Sequence, residues 1–184
     1  MKYVIVDGNP KSDGLCYSVM ESIIKGAEAA RADIEIIKPD YDRCRVCNNG
    51  WGDCQTKRRC SFEDDGFNQA MDTLASADVV CFITPVYWHE MAEGIKCFID
   101  KLRRCERGAE GRLSGKSILL VASAGGTGNG LVNCMHQMEQ FCRHTYMKIF
   151  DFIAVNRWNA DYKREAAYAA SQAMASGRLP GVII

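Results

Sequence analysis

Short apolar runs alternate with amphipathic helical patterns along almost the whole chain, and this alternation restricts the fold more than any other feature. "KYVIV" (2–6) is a buried-strand run that ends in the turn-rich "DGNPKSDG", and Leu15, Val19, Ile23, Ile24 and Ala27 then share one helical face. "IEII" (34–37) predicts a short strand, and a helix runs from near Phe67 to near Ser76. "DVVCFITP" (78–85) predicts a central strand, followed by an amphipathic helix marked by Met91, Ile95, Phe98, Ile99 and Leu102. "KSILLVAS" (116–123) is a strand, and Leu131, Met135, Met138 and Cys142 form a helical stripe. "YMKIFDFIAV" (146–155) contains the last strand, and the alanine-rich segment 160–176 is the last helix. Five strands alternating with helices predict an α/β fold, a doubly wound parallel sheet with helices on both faces, because each crossover must be covered. With no repeats or low-complexity linkers, residues 1–184 are expected to form a single domain.

Composition removes several functions. The 23 basic and 23 acidic residues cancel, leaving no electrostatic footprint for nucleic acid or for an anionic membrane. No apolar stretch is long enough to span a bilayer. The start, "MKYVIVDG", lacks the long apolar run and small-residue cleavage site of a secretory signal, so a cytoplasmic protein is expected. Ten cysteines are many for 184 residues, and in a reducing compartment they stay free thiols. Cys81, Cys97 and Cys142 fall within apolar patterns and read as small buried hydrophobes.

The loops 8–14, 84–90 and 124–130 all follow strands, so they converge on one edge of the sheet, where such folds bind ligands. The first runs from a strand into a helix, and free helix-start N–H groups with Lys11 would favour a phosphate; Ser12, Tyr17 and Ser18 add hydroxyls. The plainer alternative is an ordinary turn in which Ser12 or Asp13 caps the helix. Known phosphate loops do not match elsewhere. "GRLSGKS" (111–117) is one residue short of a P-loop and leads into a strand. "GTGNG" (126–130) needs a third glycine where Asn133 stands. A phosphoacceptor domain would want an aspartate at the end of the third strand, which instead ends in Thr84-Pro85. "TPVYWHE" offers two adjacent aromatics, Tyr87 and Trp88, as a platform for a flat ligand. "SAGGTGNG" is nearly free of side chains and allows close backbone approach to a planar ring. A phosphate loop, an aromatic loop and a glycine loop on one edge suit flavin mononucleotide.

With these segments in order, the chain resembles the flavodoxin-like NAD(P)H-dependent FMN reductases, and within them the iron–sulfur flavoprotein branch. That family carries a first loop GSPRxxGNT, then PCxGCxxC followed by tryptophan, then Cys-x-x-x-Asp-Asp, SPVYxxxxxxxxKxFIDR, and a glycine-rich loop. Their counterparts are "GNPKSDGLCYS" (8–18), "RCRVCNNGW" (43–51), "CSFEDD" (60–65), "TPVYWHEMAEGIKCFIDK" (84–101) and "SAGGTGNG" (123–130). The resemblance implies a flavodoxin-like sheet with strand order 2-1-3-4-5 and FMN as cofactor. It implies an FMN phosphate against Asn9, Lys11, Gly14, Leu15, Cys16 and Tyr17. The flavin ring would lie against Pro85, Val86, Tyr87 and Trp88 on one side and Ala124, Gly125 and Gly126 on the other. It implies an oxidoreductase, an NAD(P)H-dependent flavin or quinone-type reductase, whose chemistry is carried by flavin N5 rather than by a catalytic side chain. NADH, NADPH or ferredoxin as donor, a small-molecule or protein acceptor, and a homodimer or homotetramer follow from it as expectations. His89 and Glu90, next to the ring segment, read either as residues of the substrate face or as solvated loop. Two departures stand out: Asn9 and Lys11 replace the family's Ser and Arg, and Leu15-Cys16 replaces Asn-Thr, removing a hydroxyl.

The loop at 39–66 carries Cys44, Cys47, Cys54 and Cys60, spaced x2, x6 and x5. Relatives with a cluster use C-x2-C-x2-C and a fourth cysteine. Here Cys44 and Cys47 match the first two, Gly50 stands at the third, Cys60 matches the fourth, and Cys54 lies in an apparent insertion. Four thiolates suit a [4Fe–4S] cluster or tetrahedral zinc, although zinc usually takes two CxxC pairs. Metal-free thiols, including a redox-active Cys44–Cys47 pair, are the third reading. Three functions therefore stand together: an FMN reductase, a two-centre FMN and [4Fe–4S] electron carrier, and a non-enzymatic redox-responsive protein.

Overall fold

The computed structural model describes residues 1–39, 47, 52–64 and 66–179. Along the chain come β1 (Lys2–Asp7), α1 (Gly14–Ala29), β2 (Asp33–Ile37), α2 (Cys54–Lys57), α3 (Phe67–Ser76), β3 (Val79–Tyr87) and β4 (Glu90–Met91). They are followed by α4 (Glu93–Cys105), β5 (Ser117–Ala124), α5 (Leu131–Thr145), β6 (Lys148–Asn156) and α6 (Ala160–Ala175).

The sheet order is β2-β1-β3-β5-β6, all parallel, which is the expected order of five long strands. A sixth, two-residue strand departs from expectation: β4 pairs antiparallel with the end of β3, Val86 opposite Met91 and Tyr87 opposite Glu90. It arises because β3 runs on past the sheet edge through Tyr87 before turning back. The four-residue α2, inside the cysteine loop, is likewise unannounced by periodicity, being too short to show one.

Alternation along β1, β3 and β5 divides the core in two. Val4, Val6, Val80, Phe82, Ile118 and Leu120 face α3, α4 and α5. Tyr3, Ile5, Cys81, Ile83, Leu119 and Val121 face α1 and α6. Both faces being covered explains why these strands read as unbroken apolar runs. The helices α1 and α6 touch closely at Gly26, where any Cβ would collide with the Tyr168 carbonyl, and Ser171 Oγ donates to the Ile23 carbonyl at 2.7 Å. Beyond α4, the fully buried Glu106 accepts from Arg112 Nε at 2.9 Å and from its backbone N–H at 2.6 Å, closing the 106–112 turn. Among the described residues no helix is long and apolar enough to cross a membrane.

Candidate functional site

The carboxyl ends of β1, β3 and β5 bring the three loops together. In the first, Asn9 is the organiser. Its Nδ2 donates to the Lys11 carbonyl at 2.8 Å, its Oδ1 accepts from Lys11 N–H at 3.3 Å, and its own N–H donates to Asp7 Oδ1 at 2.8 Å. Gly8 N–H donates to the Ile83 carbonyl at 2.8 Å, and a Cβ on Gly8 would stand 2.7 Å from Ile95 Cγ2, so only glycine lets the loop leave the sheet here. Asp13 occupies the N-cap of α1 without a side-chain bond to the helix. Of the two readings of this loop, the side-chain cap by Asp13 is absent, and the first N–H groups of α1 are left for an acceptor from outside. Lys11 is exposed beside them. Cys16 turns its side chain into the core with Val19 and Ile23, and Leu15 leans on the same cluster, so these two can offer backbone rather than side-chain donors, while the half-buried Tyr17 packs its ring there. Ser18 Oγ donates back to the Leu15 carbonyl at 2.9 Å.

Beneath this loop lies a charge that sequence reading passed over. Asp7 is 4% exposed, and burial raises its carboxyl above the ordinary aspartate range; the Asn9 N–H and Lys38, whose Nζ is 3.8 Å away, pull the other way. The thiols of Cys16 and Cys81 are pushed well up, by burial first and then by neighbours that include Asp7. They are inert hydrophobes.

In the second loop Thr84 Oγ1 donates to the Pro85 carbonyl at 2.8 Å and accepts from Ala92 N–H at 3.1 Å, drawing the start of α4 against the strand end. Pro85 is buried, Val86 and Tyr87 are half-buried, and Trp88 is 95% exposed. Trp88 and His89 make the two-residue turn from β3 to β4 with φ of 47° and 67°, a left-handed pair that normally wants Asn-Gly. The third loop supports it: Gly130, with φ of 85°, lies so close to His89 Cα that a side chain there would collide, and Asn133 Nδ2 donates to the His89 carbonyl at 2.9 Å. A Cβ placed on Gly125 or Gly126 would meet nothing within 4 Å, so both backbones face open space. A fourth loop, after β6, joins the edge: a Cβ on Gly128 would lie 3.0 Å from Asn156 Nδ2, and Arg157 stacks on the exposed Trp158 at 4.5 Å. The signal for it was available, since every parallel strand ends on the same edge.

The cysteine loop lies on the α4 side. Cys44 is outside the described residues. Cys47, Cys54 and Cys60 line one cavity of about 20 Å³. Cys60 is clamped by Asn68, which accepts its N–H at 2.9 Å and donates to its carbonyl at 2.9 Å. Arg58 donates to the carbonyls of Cys105 and Arg107 at 3.3 and 2.6 Å, fixing the loop to the end of α4. Cys105, which sequence reading overlooked, thereby joins the group: its buried thiol is pushed up to about 12, by desolvation first and then by Cys54 and Cys60. No three His, Cys, Asp or Glu side chains among the described residues converge as metal ligands. A cavity this size between the described thiols holds about one water. Of the cysteines read as structural, Cys81 and Cys142 are buried and Cys97 is half-buried.

The three loops offer what an FMN would need: uncapped helix N–H groups beside Lys11, a turn running from the buried Pro85 to the exposed Trp88, and open glycine backbone at Gly125 and Gly126. A family model for NADPH-dependent FMN reductases matches residues 1–160. An iron–sulfur flavoprotein of Archaeoglobus fulgidus is 27% identical over 128 residues, 68% of this chain and 56% of the relative, so the chain spans little more than half of that protein's length. The NAD(P)H:quinone oxidoreductase from Methanothermobacter marburgensis superposes with a TM-score of 0.71 at 15% identity, covering 95% of this chain and 96% of that one. An FMN-dependent NADH-azoreductase from Bacillus anthracis, solved in complex with FMN, gives 0.66 at 13% identity, covering 97% and 99%. At such identities the two structures attest the shared flavodoxin-like fold, while the match over residues 1–160 attests the family. The chain belongs to the NADPH-dependent FMN reductase family.

Proposed function

We propose that this protein takes hydride from NAD(P)H onto FMN and passes the electrons to a small planar acceptor of the quinone type. The observation behind this reading is the meeting of an uncapped helix start, an aromatic turn and an open glycine backbone on one sheet edge. FMN, when bound, supplies the redox chemistry, accepting hydride and releasing electrons. The chain supplies binding and orientation. The N–H groups of Gly14, Leu15 and Cys16, with the Lys11 ammonium, are assigned to the phosphate. Pro85, Val86, Tyr87 and Trp88 form an apolar wall that holds the ring flat and sheds water from one side. Ala124, Gly125 and Gly126 bring backbone N–H groups to the polar edge of the ring. The whole chain acts as one domain, and no side chain is assigned as general acid or base. The quinone oxidoreductase and azoreductase that share the fold support the choice of acceptor.

Titration of the purified protein with FMN tests the reading. Quenched flavin fluorescence and NAD(P)H-dependent reduction of benzoquinone are expected, with Lys11→Ala weakening FMN about ten-fold through loss of a charge-assisted phosphate contact. Neither a bound yellow fraction nor quenching in excess FMN would sink it. The thiols at Cys47, Cys54, Cys60 and Cys105 are read as metal-free. Iron and zinc analysis of the anaerobic preparation decides this: about four irons per chain would establish the two-centre carrier instead.

A further inference from the structure

Asp7 puts a carboxyl under the loop assigned to an anion. It ends β1, and Gly8 and Asn9 carry the chain from it into that loop. Its side chain is 4% exposed. One oxygen, Oδ1, accepts the Asn9 N–H at 2.8 Å, and the Asn9 side chain in turn holds both backbone groups of Lys11. The other, Oδ2, lies 3.8 Å from the ammonium of Lys38, a half-exposed residue that follows β2. The Cys16 thiol of α1 and the Cys81 thiol of β3 are its remaining titratable neighbours, and burial keeps both protonated. Among the described residues Lys38 is therefore the one charge paired with Asp7. Cys16 also belongs to the first turn of α1, so the carboxyl lies beneath the same turn whose N–H groups face outward for a phosphate.

We infer that Asp7 is a positioning residue of the flavin phosphate site and takes up a proton when the phosphate binds, with Lys38 as the counter-charge that holds it ionised beforehand. The inference rests on the reading that FMN binds this loop. A phosphate monoester carries up to about two negative charges, and two anions on either side of one helical turn repel each other. The phosphate meets helix N–H groups and Lys11, which favour its ionised form. Asp7 is buried, which favours its neutral form, so the proton goes to Asp7. Burial already raises this carboxyl in the empty loop, opposed by the Asn9 N–H and by Lys38. A neutral Asp7 still accepts the Asn9 N–H, so the bonds from Asn9 to Lys11 persist. The Lys38 ammonium loses its partner at that moment, and its charge adds to that of Lys11 at the loop. Binding that takes up a proton weakens as pH rises, through the interval between the carboxyl's pKa without and with the phosphate. Each unit of that interval is about ten-fold in affinity.

FMN affinity of the full chain, stripped of flavin, is read by fluorescence quenching from about pH 5 to about pH 8 for the wild type and Asp7→Asn. The second ionisation of the phosphate itself is common to both proteins and cancels in the ratio. The two should bind FMN alike at the acid end, and toward pH 8 the wild type should bind about ten-fold more weakly than the variant. Riboflavin, which has no phosphate, should show no such pH-dependent ratio. Calorimetry in two buffers of different ionisation heat should show the wild type taking up more protons per FMN than Asp7→Asn. Lys38→Met, a change at a half-exposed side chain, should move the wild-type fall in affinity to higher pH. A ratio that is flat with pH, or one that riboflavin shares, overturns the inference and leaves Asp7 as a structural part of the loop. FMN binding with a flat ratio removes this inference alone, whereas absence of FMN binding removes the reading beneath it as well. Protein that shows the pH trend but never oxidises NAD(P)H would remove the reductase reading and leave Asp7 assigned.

Discussion

Asp7 places a carboxyl at the foot of a loop assigned to a phosphate, with burial as the dominant influence on its proton. Its folded-state pKa is raised, so the folded protein holds this proton more tightly than the unfolded chain does. The stabilisation this gives is present below the ordinary aspartate pKa and is lost as pH rises through the folded value. Asp7→Asn keeps the acceptor for Asn9 N–H and removes the loss. The urea stability of the variant minus that of the wild type should therefore grow between about pH 4 and about pH 7. A difference that is flat or shrinks over that range would show that Lys38 and the Asn9 N–H outweigh burial. Nothing in the sequence marked Asp7 in this way. An aspartate before a glycine reads as turn material, and its electrostatic neighbours, Lys38 after β2 and the Cys16 and Cys81 thiols, come from other segments.

The β3–β4 hairpin shows how an element departs from its pattern. The run 78–85 reads as a strand that stops at proline, yet β3 continues to Tyr87 because Thr84, Ala92 and the β4 pairing hold the extension. Two bulky residues then occupy left-handed positions, a costly arrangement kept in place by Gly130 and Asn133. Replacing Trp88-His89 with Asn-Gly should stabilise the fold by about 1 kcal/mol in urea melts while weakening FMN binding. A variant no more stable than wild type would show that the turn carries no strain. The sequence marked these aromatics as a ligand platform from composition alone. It held no sign of the turn geometry, because that requires residues 44 apart in the chain to touch.

Across the whole molecule, several of the large apolar side chains left in solvent cluster on the ligand edge: Trp88 at 95%, Val132 at 85%, Trp158 at 64% and Tyr162 at 61% exposed. Isolated apolar residues are ordinary on a surface, but this many around one cofactor edge fit a face covered by a second copy of the chain. Sedimentation at micromolar concentration should give a dimer or tetramer, and Val132→Glu should raise its dissociation constant about ten-fold or more. A monomer with and without FMN would refute the assembly. The order of strands, their burial on both faces and the convergence of three loops could all be read from the chain. The burial and the convergence follow from local periodicity and from the cover that parallel strands need, whereas the strand order was implied by the family resemblance. The cysteine loop was legible as an interrupted pattern, but spacing could not say whether its thiols converge or that Cys105 joins them from α4. The open N–H groups of α1 and the pinned Trp88–His89 turn were decided only by tertiary structure. Each depends on side chains and backbone brought together from distant segments, and no local pattern encodes those distances.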